Sequence, residues 1–350
     1  MTALVPARGR PVKPLRRDKE DRATEALRYV FGPVASGRLG LSLGLDLLGA
    51  RICSFDCLYC EAGPTDALTV ARKPYVPAAK ILAELADWKA AGHAAPDVVT
   101  LGGLGEPTLN SECDAVIAGA KELFPDVPVA VLTNSSLLSD PDVRAACNLA
   151  DIVLPSMDTL IAAEYARLNR PHAAVGLDAL RQGLLDFRAG YRGALFLEVL
   201  LAAGVNDSEE NLEALRTFCR ELAPTRVDVV TLSRPGAHAG ATAVSKAVLA
   251  RFREALCPAA QPLVAAADGR DASRTSGTGE GHGPAALAAR RPDALAEAIV
   301  ASVRRRPQTA AVLAAALGHP RDVVQAALDA LERGGAVRRR QEGREIFYSG

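Results

Sequence analysis

Six short apolar runs recur along the first three quarters of the chain: Leu43–Leu47, Val98–Leu101, Val127–Leu132, Ile152–Leu154, Leu195–Leu201 and Val227–Leu232. Continuous apolar runs of this length read as strands buried on both faces. Between them, Ala78–Ala91, Cys113–Leu123, Pro141–Leu149, Leu177–Phe187, Ser208–Leu222 and Ser245–Leu256 carry helical spacing. Helix starts are marked at Ser139-Asp140-Pro141 and at Ser208-Glu209-Glu210-Asn211, after Asn206-Asp207. Strands alternating with helices predict an α/β fold with a parallel sheet. Six such units close naturally as a partial (βα)6 barrel, whose chemistry belongs at the C-terminal ends of the strands.

The pattern breaks at both ends. Residues 1–28 are basic and Pro-rich, without periodicity, and read as a disordered or loosely docked tail. The barrel unit is expected over 29–265. Asp268–Pro284 is rich in Gly, Ser and Thr and marks a flexible linker over 266–290. In 291–350, helical patterns at Asp293–Arg304, Thr309–Leu317 and Arg321–Arg333 are followed by Gly334-Gly335 and by alternating Ala336–Arg340 and Ile346–Tyr348. That order is a winged helix-turn-helix pattern.

Composition narrows the function classes. A length of 350 residues suits two units, and 49% hydrophobic with 23% charged residues is ordinary for a soluble domain. The formal net charge is zero, so attraction to nucleic acid or membrane needs a local patch. The N-terminus lacks the apolar segment of a signal peptide, and no run of about 18 uncharged apolar residues is present, so a cytoplasmic protein without a membrane partner is expected. Seven cysteines, an odd number, read poorly as a disulfide framework.

Three of the seven fall within eight residues: Cys53-Ser-Phe-Asp-Cys57-Leu-Tyr-Cys60, a C-x3-C-x2-C motif. Thiolates on one tight loop can bind three irons of a cubane cluster and leave the fourth open to an exchangeable ligand. The plainer alternatives are buried thiols or a zinc site completed by His172 or Cys113, although a structural zinc site usually has a second Cys or His pair.

With an aromatic before its last cysteine, this motif resembles the radical S-adenosylmethionine (SAM) signature. The run from Phe31 to Asp46, followed by Cys53-Ser-Phe-Asp-Cys57, is similar to a narrower group, the single-domain iron–sulfur oxidoreductases related to the wybutosine-synthesis radical SAM enzyme. That group usually shows Pro-Ser-Arg-Arg where this chain has Ala35-Ser36-Gly37-Arg38. The resemblance covers about 29–256. It implies a 4Fe-4S cluster on Cys53, Cys57 and Cys60, SAM as cofactor or cosubstrate, and Tyr59 packed near the adenine. It also implies an electron donor such as flavodoxin or ferredoxin. The related enzyme's second cluster is not expected, since no cysteine precedes Cys53.

Other motifs sit at strand ends. Thr100-Leu-Gly-Gly-Leu-Gly105-Glu106-Pro-Thr108 looks like the family's Gly-Gly-Glu motif, which places Gly105 and Glu106 at the amino group of SAM. Its plain reading is a glycine turn before a helix. Asn134 ends the third strand, and Ser156 and Asp158 end the fourth, suited either to ribose hydroxyls and the SAM carboxylate or to helix capping. Arg170 and His172 in Asn169-Arg170-Pro171-His172, Glu198 within an apolar strand, and Arg234 after the sixth strand are further candidates for substrate contact, against ordinary structural roles.

The C-terminal unit carries Arg321, Arg333, Arg338, Arg339, Arg340 and Arg344, a set suited to phosphates but diluted by acidic neighbours. It can recruit an RNA or peptide substrate, or only dock on the barrel or mediate dimerisation. The leading expectation is a radical SAM enzyme that abstracts hydrogen from an unidentified substrate. The alternative is an iron–sulfur redox or iron sensor with a DNA-binding winged helix.

Overall fold

The computed structural model describes residues 27–257 and 292–350, except positions 235, 239, 306, 318, 343 and 344. The N-terminal tail up to residue 26, the linker at 266–290 and Arg344 therefore lie outside the described residues.

The chain opens with an antiparallel hairpin, β1 (Val30–Ser36) and β2 (Gly40–Leu45). Two short parallel strands, β3 (Ile52–Cys53) and β4 (Ala67–Leu68), then bracket the cysteine loop. The repeating part follows: α1 (Ala78–Ala90), β5 (Val98–Leu101), α2 (Cys113–Leu123), β6 (Val129–Thr133), α3 (Pro141–Cys147), β7 (Ile152–Pro155), α4 (Ala162–Leu168), α5 (Leu177–Gly190), β8 (Ala194–Leu201), α6 (Glu209–Leu222), β9 (Arg226–Thr231) and α7 (Lys246–Leu256). The seven-stranded sheet has the order β1-β2-β5-β6-β7-β8-β9, and every pair after the hairpin is parallel. Because the order never reverses, successive helices cover one face.

That face is the main core. Leu43, Val99, Val131, Val153, Leu197 and Val229 pack there against Ile81, Leu85, Ile117, Leu184, Phe218 and Phe252 from the helices. Helix registers follow from apolar spacing: Ala78, Ile81, Leu85 and Trp88 form the buried stripe of α1. Helix α6 starts where Ser208 Oγ accepts from Asn211 N at 3.1 Å, and it carries Glu209 and Glu210 in its first turn. Successive strand residues alternate faces, so Val98, Ala130, Leu154 and Phe196 form a second apolar layer on the inner side, joined by Leu39.

Besides the two-residue strands, two elements depart from the sequence pattern. Strand β1 has Gly32-Pro33 at its centre, which erases the periodicity; as an edge strand it tolerates proline. Its Phe31 lies over Gly44 of β2, where a Cβ would overlap the ring. Helix α4 is only seven residues, too short for a clear apolar stripe.

The C-terminal unit contains α8 (Pro292–Arg305), β10 (Gln308–Thr309), α9 (Ala310–Leu317), α10 (Arg321–Arg333), β11 (Arg338–Glu342) and β12 (Glu345–Ser349). Its three-stranded antiparallel sheet has the order β10-β12-β11. It has its own core of Leu295, Ile299, Val303, Leu313, Val324, Leu328, Val337 and Tyr348. Among the described residues no helix is long and apolar enough to cross a membrane.

Candidate functional site

The cysteine loop is held by backbone contacts on three sides. Glu106 N donates to Ile52 O at 3.1 Å, and a Cβ on Gly105 would overlap that same carbonyl, so only glycine admits the approach. On the second side, His172 N donates to Ser54 O at 2.8 Å and Leu58 N donates to Leu168 O at 2.9 Å. Arg170, with φ 46°, also pairs with Asp56 at 3.1 Å, and His172 Nδ1 accepts from Ala174 N at 3.2 Å. The Asn169–His172 run, for which substrate contact was weighed against a structural role, is the strand-like partner of the cysteine loop. On the third side, Gly236 packs on the backbone of Leu58 and Tyr59, and His238 N donates to Leu58 O at 3.2 Å. Arg234, a candidate for substrate contact weighed against an ordinary structural role, is paired with Glu61 at 2.9 Å.

Cys53, Cys57 and Cys60 are all free thiols. Burial raises all three thiol pKa values, Cys53 to about 12. After burial, the nearby Glu106 raises Cys53 further, and Cys53 and Cys60 raise Cys57. Opposing this, the N–H groups of Ser54 and Phe55 point at Cys53, and those of Ala62 and Gly63 at Cys60. Asn134 Nδ2 donates to Cys53 Sγ at 3.4 Å and Asn169 Nδ2 to Cys57 Sγ at 3.8 Å. Thiols with pKa values raised in this way stay protonated at neutral pH unless a cation takes the proton's place. A thiol set ringed by N–H donors fits a thiolate-bound iron–sulfur group, whose sulfurs are stabilised by hydrogen bonds.

Among the described residues no three His, Cys, Asp or Glu side chains converge on a single metal ion. The proposed fourth zinc ligands are also placed elsewhere: Cys113 is buried at the head of α2, and His172 serves its own turn. A cubane makes a different demand, because each thiolate ligates its own iron.

Glu106 is 2% exposed and fully engaged. Its Oε1 accepts from Thr108 N, Thr108 Oγ1 and Thr133 Oγ1, and its Oε2 accepts from Asn134 N at 2.7 Å. Burial raises its pKa despite these donors. These donors hold the carboxylate that the resemblance assigns to the amino group of SAM. Glu106 ties the β5 exit to the β6 exit and so aims Asn134 at Cys53. The chain turns sharply there, with Ser135 at φ 68° and buried.

Asp158 is a second buried hub, its pKa also raised by burial. It accepts from Tyr59 Oη at 2.6 Å, Asn169 Nδ2 at 2.8 Å and Leu200 N at 2.9 Å. It caps no helix, since α4 starts after Ile161. Its own carbonyl accepts from Asn206 Nδ2 and Asn211 Nδ2. Asn206 and Asn211 looked like helix-start residues only, and nothing in their spacing signals the connection. Tyr59 thus has its hydroxyl committed to Asp158. Ser156, bridged by backbone to Glu198, has no side-chain hydrogen bond among the described residues. It lines a narrow crevice with Phe55, Tyr59, Asn134 and Asp158. Glu198 pairs with Arg38, which the β1–β2 turn brings to the inner face.

No family model matches the chain. It is 36% identical over 212 residues to a UPF0026 protein of Synechocystis, covering 59% of this chain and 76% of that one. It is 33% identical over 218 residues to a protein of Brachyspira hyodysenteriae named GTPase Obg; the match covers 62% of this chain but only 32% of that longer protein. Among solved structures, a radical SAM methyltransferase from Sphaerobacter thermophilus superposes with TM-score 0.47 at 18% identity, covering 61% of this chain and 62% of that one. A structural likeness that loose speaks to neither activity nor ligand.

Proposed function

The chain belongs to the UPF0026 family, and from that premise we propose that it is a radical SAM enzyme. The observation that carries the reading is the thiol loop itself. Three free cysteines stand at the strand ends, ringed by N–H donors, with no fourth cysteine beside them. In this reading the six parallel strands are a partial (βα)6 barrel, and Cys53, Cys57 and Cys60 hold a 4Fe-4S cluster with one iron left for SAM. When bound, that cluster supplies the electron that cleaves the carbon–sulfur bond of SAM, yielding methionine and a 5′-deoxyadenosyl radical.

The chain's own residues then have separable tasks. Asn134 and Asn169 donate to two sulfurs and hold the loop in register. Gly105 lets the motif after β5 lie against β3, where backbone groups can meet the SAM amino group. The free hydroxyl of Ser156 can bind a ribose hydroxyl or the SAM carboxylate. Glu106, Asp158 and Tyr59 act as positioning residues through the partners described above. The unit at 292–350 is read as a winged helix that recruits the substrate, an RNA or a peptide. Flavodoxin or ferredoxin would reduce the cluster.

The test is anaerobic reconstitution. The wild-type chain should bind about four irons and, once reduced with SAM present, release 5′-deoxyadenosine. Cys57→Ala should lose both. A full cluster without 5′-deoxyadenosine would favour a redox or iron sensor instead.

A further inference from the structure

On the inner face of the sheet lies a set of charges that the site described so far does not use. Glu198 and Asp228 are register partners on β8 and β9. Each sits between residues of the helix-side core, Leu197 and Val199 for one, Val227 and Val229 for the other. Alternation therefore turns both carboxylates inward. Through the Ser156–Glu198 bridge they share a layer with Ser156. Two arginines meet them there. Arg38, from the β1–β2 turn, pairs with Glu198, and Arg226 Nη2 pairs with Asp228 at 2.8 Å. The guanidinium of Arg226 lies over the Phe196 ring, 3.9 Å from its centroid. Its Nη2 also reaches Arg38 O at 3.5 Å, so the two arginines are neighbours. Burial lowers the pKa of Arg38, while Asp228 and then Glu61, the residue after Cys60, favour its charge. The guanidinium of Arg38 is thus within electrostatic reach of Glu61, while Arg226 opens β9 at the N-terminal end of the strands.

The donors of this set outnumber its acceptors. Two guanidiniums offer ten N–H bonds between them. Among the described residues they meet three acceptor atoms, one oxygen each of Glu198, Asp228 and the Arg38 carbonyl. Arg226 Nε is buried with no partner, whereas no buried side-chain oxygen in the described chain lacks one. A buried donor without an acceptor is costly. Two carboxylates hold the forks in place, but they do not fill them. The side chains remain about a third open, 33% for Arg38 and 29% for Arg226. A planar fork of this kind is suited to a bidentate oxyanion.

We infer that Arg38 and Arg226 form a binding site on the inner face of the sheet for an oxyanion, a carboxylate or phosphate group carried by the substrate. The assignment to substrate rests on the radical SAM reading, in which the same chamber holds the reacting carbon. Glu198 and Asp228 are positioning residues that hold the two guanidiniums. The anchored group would fix one end of a substrate while the remainder reaches toward the cysteine loop.

The test is isothermal titration of inorganic phosphate, and separately acetate, into the full-length, cluster-loaded, SAM-saturated protein at constant ionic strength. At least one probe should bind. Arg226→Gln and, independently, Arg38→Gln should each weaken it roughly ten- to a hundredfold, the effect of one lost charge-assisted pair. Arg251→Gln, which removes a surface pair with Glu209, should match wild type. Binding of phosphate alone points to a phosphorylated substrate, and binding of acetate alone to a carboxylate. Absence of binding by either probe, or equal binding in both inner-face variants, overturns the site. If those variants instead weaken SAM binding, the oxyanion is SAM's own carboxylate and the substrate assignment falls. A wild-type chain that takes up neither iron nor SAM refutes the radical SAM reading. The same titration on that apo protein still reports on the oxyanion site.

Discussion

The two faces of the parallel sheet come from the same strands yet differ in kind. Toward the helices, Leu195, Leu197, Val199, Val227 and Val229 join one apolar core. Toward the inside, the same strands present Phe196, Glu198, Arg226 and Asp228. One face stabilises through area removed from water, about 25 cal/mol per Å2. The other carries half-buried charged groups held in pairs, Arg38 with Glu198 and Arg226 with Asp228. Stability and chemistry are thus separated by one residue step along each strand, and substitutions should separate them too.

The strongest disruption should come from Gly105→Ala. The new Cβ meets backbone, not a side chain that can swing away, so β3 must shift and the cysteine loop with it. Iron content after reconstitution should collapse. A variant with normal iron would show that the strand-end contact is dispensable.

Leu197→Ala tests the opposite face. Leu197 is fully buried, and such truncations cost about 2–5 kcal/mol. The midpoint of chemical denaturation should fall accordingly while the folded fraction still binds iron. Loss of iron from protein that remains folded would contradict the separation of the two faces.

Glu106→Gln should cost less, about 1–3 kcal/mol, because the amide nitrogen would face donors that now point at a carboxylate oxygen. Since Glu106 aims Asn134 toward Cys53, the cluster's absorption spectrum should shift as well. An unchanged spectrum would leave Glu106 with a purely local role.

A subtler effect is expected for pH. Burial holds the Asp158 carboxyl above its ordinary value of 3.8. A carboxyl raised by folding binds its proton more tightly in the folded state, so its contribution is greatest at low pH. That contribution declines as pH rises from the unfolded to the folded value. Asp158→Asn carries no such proton and should flatten that stretch of the Tm–pH profile. A profile identical to wild type would mean that the hub does not titrate on folding.

The smallest effect belongs to the exposed Arg51–Asp66 pair, at 2.9 Å. The Arg51 hydrogen bond lowers the Asp66 pKa, so its contribution is present above 3.8 and is lost as pH falls. Asp66→Asn should change stability by no more than about 0.5 kcal/mol. A larger loss would show that polar contacts beside the loop matter even at the surface.

Much of this was legible in the chain. Apolar runs located β2 and β5 to β9, because strands covered on both faces need continuous apolar sequence. The helices came from the 3.6-residue period, and the cysteine spacing singled out the loop that the fold places at the strand ends. Strand β1 was not legible, since Gly32-Pro33 interrupts the pattern. The partners of Glu106 were not legible for a different reason. A glutamate after a glycine turn looks the same whether it faces a ligand or four protein donors.

The sequence by itself therefore determined the alternating architecture and the identity of the thiol loop, because periodicity and spacing are local properties. Only the tertiary structure decided which polar residues are consumed in holding the site and which are left open. Asp158 gathers Tyr59, Asn169 and Leu200, and Arg38 crosses to Glu198, over separations along the chain that no local pattern encodes. Hydrogen bonds and charges are satisfied by proximity in space, and burial sets their energy, so their partners exist only once the sheet has brought distant strand ends together.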